Sequence, residues 1–240
     1  METGLEILND WIKNSHNAVF FGGAGVSTES GIPDFRSEDG LYRQQYAYPP
    51  ETILSRDFFE EQPEEFYRFY RNKMIFLDAK PNAAHKKLVQ WEKEGKVNAI
   101  VTQNIDGLHQ AAGSKRVYEL HGSVHRNFCM KCGKFYGIEA ILNSEGVPRC
   151  TCGGTIKPDV VLYGESLDDG TVSKAVDAIR HADVLIIGGT SLSVYPAAGL
   201  IRYYRGNRLV LINKSETPFD GSANLRLYGS IGELFGRLDV

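Results

Sequence analysis

Four cysteines stand as two close pairs, Cys129-x2-Cys132 and Cys150-x-Cys152, with seventeen residues between the pairs. Four thiolates can close a tetrahedral shell around one zinc ion, which leaves no open position and suits a structural site. Gly133 follows the first pair and Gly153-Gly154 the second, and glycine permits the sharp turns a metal knuckle needs. A redox Cys-x-x-Cys pair and buried free thiols are the competing readings. His125 lies close by, but the quartet is complete without it. One structural Zn2+ held by Cys129, Cys132, Cys150 and Cys152 is therefore expected.

A second chemistry-bearing segment is Gly23-Ala24-Gly25-Val26-Ser27-Thr28, entered from the apolar run Ala18-Val19-Phe20-Phe21. A strand ending in glycines is how a dinucleotide-binding βα turn begins, and such a loop lets backbone N–H groups approach a pyrophosphate. Thr28 stands where G-x-G-x-x-G requires its third glycine, and no Gly-Lys-Ser/Thr follows, so neither phosphate fingerprint is complete. Alone, the segment reads equally as a Gly-rich turn without a ligand.

The elements around these residues follow a rhythm. Leu5, Leu8, Trp11 and Ile12 share one face of an N-terminal helix. Residues 57–94 read as mostly helical, punctuated by Pro63 and Pro81. Strands are expected at 18–21, 97–101, 117–120, 183–187 and 208–212, with a helix over 170–181. A Gly-, Cys- and charge-rich segment over about 123–157 breaks the pattern, which resumes near 160–162. Strands alternating with helices imply an α/β fold with a mostly parallel sheet covered on both faces. Polar clusters follow the strand ends at 22–28, 102–106, 121–122, 189–191 and 213–214. In an open parallel sheet that rim is where ligands bind.

Composition narrows the classes. The chain has 240 residues, 24% charged and 42% hydrophobic, enough for one α/β domain with a small appendage. A net charge of -3 offers no overall basic surface, so no direct nucleic-acid binding is expected. The first residues lack a basic, apolar leader, and the run Val184–Ile187 is too short to span a bilayer. A cytoplasmic chain without a membrane partner is expected, where reduced cysteines favour a metal over disulfides.

The run from Phe20 through the glycines to Gly31-Ile32-Pro33-Asp34-Phe35-Arg36 resembles the first signature of the sirtuins, the NAD-dependent protein deacylases. Thr102-Gln103-Asn104-Ile105-Asp106 resembles the second signature and His121-Gly122 the third. The paired cysteines, Gly189-Thr190-Ser191 and Val210-Leu211-Ile212-Asn213 follow in family order, so the likeness covers nearly the whole chain.

The resemblance implies a Rossmann-like doubly wound parallel sheet with a small domain made of a zinc ribbon and a helical insertion. The large NAD-binding domain would take residues 1–36, 80–122 and 158–240, and the small domain 37–79 and 123–157. Ala24 and Thr28 would line the phosphate loop. Phe35 and Arg36 would belong to a lid, residues 31–45, over the nicotinamide ribose. Gln103, Asn104, Ile105 and Asp106 would line the ribose and nicotinamide pockets, with Asp106 on the carboxamide. Gly189, Thr190, Ser191, Asn213, Lys214 and Ile231 would surround the adenosine half. The implied activity is NAD-dependent deacetylation of protein lysines. It releases nicotinamide and gives O-acetyl-ADP-ribose, with His121 as general base, a role suited to an imidazole. The acetylated protein would lie as an extended peptide between Val161, Tyr163, Gly164 and Glu165 on one side and Ser193, Val194 and Tyr195 on the other. His85 and His109 are expected to pack, as are Phe66, Phe69 and Tyr70.

Sirtuins that prefer succinyl groups carry a Tyr and an Arg three residues apart in the insertion. Here Tyr67 is followed by Tyr70, and Arg71 comes one residue late, about 100° further round a helix. Acetyl is therefore the expected acyl group. The competing functions are a dehydrogenase, a mono-ADP-ribosyltransferase and a zinc-bearing recruitment module. A serine hydrolase is disfavoured because neither Ser27 nor Ser191 sits in G-x-S-x-G.

Overall fold

A computed structural model describes residues 2–35, 40 and 47–240. Helix α1 (Glu2–Lys13) turns Leu5, Leu8 and Ile12 inward. Strand β1 (Ala18–Gly22) is buried along its whole length. Helices α2 (Pro50–Ile53), α3 (Arg56–Glu61) and α4 (Pro63–Lys73) follow, and prolines open the first and third. The helical stretch is divided at Pro63 and after Pro81, as those prolines implied, and α5 (Ala83–Lys93) starts afresh at Asn82. The Asn82 side chain accepts hydrogen bonds from the N–H groups of Ala84 and His85. Then come β2 (Val97–Thr102), α6 (Leu108–Ala112), β3 (Val117–Glu119), β4 (Gly122–Cys129), β5 (Phe135–Tyr136), α7 (Glu139–Leu142) and β6 (Ile156–Val160). Helix α8 (Asp169–His181), β7 (Val184–Gly188), β8 (Leu209–Asn213), β9 (Leu225–Tyr228) and α9 (Ile231–Gly236) complete the chain.

Six strands form one parallel sheet in the order β3-β2-β1-β7-β8-β9. The order reverses between β1 and β7, whose last residues, Gly22 and Gly188, pair in register. Their carboxyl ends flank the crevice where doubly wound sheets bind ligands. Strand alternation feeds two cores. Ala18 and Phe20 pack with α1, α5 and α9 on one face. Val19 and Phe21 pack with α8 and the 3-10 turn Ala197–Tyr203 on the other. The Rossmann-like expectation holds.

A second, antiparallel sheet has the order β5-β4-β6. A third core joins it to α2, α3 and α4 through Ile53, Phe58, Phe66, Tyr67, Val124, Ile156 and Val160. Two elements depart from the sequence reading. Residues 156–160 do not resume the large sheet, because Ile156, Pro158 and Val160 turn one buried face to the third core. Strand β9 adds an edge to the large sheet where no strand was expected.

Candidate active site

The two glycine loops at the switch point touch. A Cβ built on Gly25 would lie 2.8 Å from Gly189 Cα and 2.9 Å from its carbonyl oxygen, so only glycine fits. Gly25 N–H donates to Gly189 O (2.8 Å) and Gly23 N–H to Gly188 O (3.2 Å). Val26 and Ser27 N–H turn back on Gly23 and Ala24. The loop is therefore not the row of free donors its glycines suggested. Among the described residues, the N–H groups of Ala24 and Thr28 donate to nothing, and both residues line a cavity.

That cavity has a volume of about 480 Å³. Its wall brings together Ala24, Thr28, Phe35, Gln103, Asn104, Ile105, Asp106, His121, Gly189, Thr190, Ser191, Asn213, Lys214 and Ile231. Val161, Tyr163, Gly164, Glu165, Val194 and Tyr195 line it too. Ser193 does not line it, although its hydroxyl shares a 2.6 Å hydrogen bond with that of Ser191. Arg36 lies outside the described residues, as do 37–39 and 41–45 of the expected lid.

His121 follows β3 and is aimed by its neighbour. Gly122 has φ 77°, and a Cβ there would collide with the Asp159 carbonyl, so glycine lets the chain turn into β4. His121 Nδ1 lies 2.9 Å from Gln103 O. A carbonyl only accepts, so Nδ1 carries the proton and Nε2 keeps its lone pair. Burial lowers the imidazole pKa, and the Gln103 bond opposes this in part.

Asp106 is held at both oxygens, by Ser27 Oγ at 2.6 Å and by Leu108 N–H at 2.9 Å. Asn104 Nδ2 donates to Ser27 Oγ at 3.1 Å. Ser27, 1% exposed, thus joins the two residues, a role its sequence did not announce. Its one signal was a hydroxyl two places beyond Gly25. Gln103 Nε2 donates to Thr190 Oγ1 (3.1 Å) and Asn213 Nδ2 to Thr190 O (2.6 Å), tying together the ends of β2, β7 and β8. Lys73, Met74, Phe76, Ser215 and Ser230 also line the cavity and were not foreseen.

His85 and His109 pack behind the loop, as expected, with ring centroids 4.7 Å apart. Burial pushes His85 down to about 4, with Asp106 opposing. Burial and then His85 push His109 down to about 3. Asn82 Nδ2 donates to Val26 O (2.7 Å) and Ser30 Oγ (3.0 Å), so the cap of α5 also holds the loop.

The four cysteine sulfurs lie within 4.8 Å of one another. Zinc–sulfur bonds of about 2.3 Å in a tetrahedron set sulfur pairs about 3.8 Å apart. Cys129 and Cys152 are 3.4 Å apart here, and Cys132 and Cys150 3.7 Å. The N–H groups of Lys131 and Cys132 donate to Cys129 Sγ, and Tyr136 Oη donates to Cys150 Sγ. Such bonds suit thiolates, and the quartet fits one ion. His125 is turned elsewhere, its Nε2 3.2 Å from Asp106 O.

In α4, Tyr67 Oη donates to Ile156 O at 2.6 Å. Arg71 donates to Ile141 O, Ser144 Oγ and Gly146 O. Neither side chain is among those lining the cavity.

Comparison with known proteins agrees with this architecture. A profile described as the Sir2 family matches residues 23–196. An NAD-dependent protein deacetylase of Clostridium acetobutylicum is 61% identical over 227 residues, 93% of each chain. One of Clostridium perfringens is 59% identical over 242 residues, 99% of each chain. A solved complex of Sir2 with a p53 peptide and NAD+ has a TM-score of 0.85 at 43% identity, over 97% of this chain and 95% of that one. A complex with deacetylated p53 peptide and 3'-O-acetyl ADP-ribose has a TM-score of 0.89 at 42% identity, over 97% of this chain and 96% of that one.

Proposed function

This chain belongs to the Sir2 family, and from that premise we propose that it is an NAD-dependent protein lysine deacetylase. The carrying observation is one cavity shared by His121, the Ser27–Asn104–Asp106 cluster and the paired glycine loops. NAD, when bound, supplies a departing nicotinamide and an ADP-ribose that accepts the acetyl group. His121 Nε2 takes a proton from a ribose hydroxyl. Asp106 keeps unfilled lone pairs for the nicotinamide carboxamide. Ala24 and Thr28 offer N–H donors to the pyrophosphate. Asn213 has its amide N–H engaged on Thr190, so its oxygen remains to accept from a ribose hydroxyl. Phe35, on the cavity wall, would help keep water out of the site.

The acetylated peptide takes the groove between the Tyr163 and Tyr195 loops. The Tyr163 backbone is already bonded to Leu54 and Arg56. The backbones of Gly164 and Tyr195 have no partner among the described residues, which leaves them for an extended peptide. The cysteine quartet would hold one Zn2+ as a structural tie. The expected division at 157/158 would cut β6, which pairs with β4, so we place the small domain at 37–79 and 123–160 and the large one at 1–36, 80–122 and 161–240. No helix among the described residues is long and apolar enough to cross a membrane. A cytoplasmic setting accords with reduced, zinc-directed cysteines.

The test is mass spectrometry after incubation with NAD and an acetyl-lysine peptide. Free lysine peptide, nicotinamide and O-acetyl-ADP-ribose should appear in equal amounts. NADH without deacetylation would support a dehydrogenase instead, and ADP-ribose on protein a transferase.

A further inference from the structure

The chain has a net charge of -3, yet between Asp183 and Glu216 it holds Arg202, Arg205, Arg208 and Lys214 and no acidic residue. The fold sets the first of these at the cavity mouth. Tyr195 lines the cavity and is 56% exposed. The 3-10 turn Ala197–Tyr203 brings Arg202 back over it, and Arg202 Nη2 donates to Tyr195 Oη at 3.3 Å. Arg202 and Arg205 are exposed, and neither enters an ion pair among the described residues. Arg180 adds a further guanidinium, 5.8 Å from the centroid of the Tyr203 ring.

The facing wall differs. Its acid, Glu165, is held by Lys157 Nζ at 3.1 Å and by Leu162 N–H at 2.9 Å. Its nearby cation, Arg56, pairs with Glu60 at 2.9 Å. The charge left uncompensated along the Tyr195 wall is therefore positive.

We propose that Arg202, supported by Arg205, is a specificity-determining residue that selects acetyl-lysine peptides carrying Asp or Glu beside the modified lysine. The proposal rests on the deacetylase reading. An extended peptide advances about 3.3 Å per residue, so a carboxylate within about three residues of the lysine comes within reach of Arg202. The guanidinium is already oriented by Tyr195, and a charge at the rim of a groove acts mainly on association.

The test is a peptide series with acetyl-lysine at the centre and Ala, Asp or Lys at each of the three positions on either side. KM and kcat are read from nicotinamide release. Asp at the responsive positions should lower KM about three- to tenfold relative to Lys at low salt, and added salt should erase the difference. The Arg202→Glu variant should reverse the order of Asp and Lys peptides, and Arg202→Lys should keep it. Equal KM for Asp and Lys peptides at every position overturns the proposal, as does an unreversed order in Arg202→Glu. A wild-type protein that releases no nicotinamide with any peptide sinks the deacetylase reading itself, so the two failures are distinguishable.

Discussion

Replacing Gly25 by alanine tests whether contact between the two glycine loops sets NAD binding. The new Cβ would lie 2.8 Å from Gly189 Cα, 2.9 Å from Gly189 O and 3.0 Å from its carbonyl carbon. All three are backbone atoms, so no side chain can swing clear. Carbon contacts settle at about 3.5–4.0 Å, so the loops must part by roughly 0.7–1.2 Å. The bond from Gly25 N–H to Gly189 O, now 2.8 Å, lengthens with them. Overpacking costs about 1–3 kcal/mol and a weakened hydrogen bond about 0.5–1.5 kcal/mol, together about 1.5–4.5 kcal/mol. For a chain of this size about 2–4 °C of Tm goes with each kcal/mol, so Tm should fall by about 3–18 °C. Ala24 and Thr28 ride on the same turn, and a misplacement near 1 Å can cost about 10²-fold in activity. The assay is KM for NAD at saturating acetyl peptide, alongside thermal unfolding. Gly221→Ala is the control, since a Cβ there meets nothing within 4 Å. A Gly25→Ala protein with unchanged Tm and unchanged KM for NAD refutes the reasoning.

Four further outcomes are expected. His121→Ala should lower kcat by about 10²–10⁴-fold with the fold intact. Because burial lowers the His121 pKa, its neutral form survives to lower pH, and the acid limb of kcat/KM should fall below about 6.5. A limb above that value contradicts the argument that burial dominates over the Gln103 bond. His85 and His109 stay neutral when folded, down to about 4 and about 3, whereas unfolded histidines protonate below about 6.5. The unfolded chain then binds more protons, so their contribution is full above about pH 6.5 and is lost as pH falls through the folded values. Denaturation midpoints should drop from pH 7 to pH 5, and His109→Leu should flatten that slope; an unchanged slope argues against it. Metal analysis should find one zinc per chain, and Cys150→Ala should lose it together with the near-ultraviolet signal of the small sheet and the activity. Full activity in metal-free Cys150→Ala protein would be decisive against a structural role. Arg71→Ala should loosen the contact between α4 and α7 without raising kcat/KM on succinyl-lysine above that on acetyl-lysine, because Arg71 is engaged on Ile141, Ser144 and Gly146. A succinyl preference in the wild-type protein would overturn the acyl assignment.

The large sheet was legible because its central strands are apolar runs, each followed at once by polar residues. β1 was expected at 18–21 and ends one residue later, at Gly22. β9 was hidden because Arg226 and Tyr228 alternate with two buried leucines at a sheet edge, too short a pattern to stand out. The small sheet was hidden for a different reason. β4 shifts register between Ser123 and Asn127, and Pro158 sits inside β6, so neither strand keeps a simple period. Ser27 was missed because its partner Asp106 is 79 positions away, and only the parallel pairing of β1 and β2 brings them together. Spacing reports what lies along one strand; it does not report which strand end comes to lie beside it.

The incomplete glycine fingerprint is explained on the same ground. In a dinucleotide fold the third glycine serves close packing between a helix and the strand before it. Here two short 3-10 turns, Ala24–Val26 and Thr28–Ser30, follow β1 instead of a helix. Thr28 meets no such packing demand, and its hydroxyl bonds back to Gly25 O at 3.0 Å. Of the two glycines that remain, Gly23 donates to the last residue of β7, Gly188, and Gly25 to Gly189 in the loop after it. Their role is approach, and the free donors belong to the residues beside them. On the proposed reading, the phosphate site would be a joint product of β1 and β7 at the switch point. A change in Gly189, far along the chain, should disturb NAD binding as a change in Gly25 does.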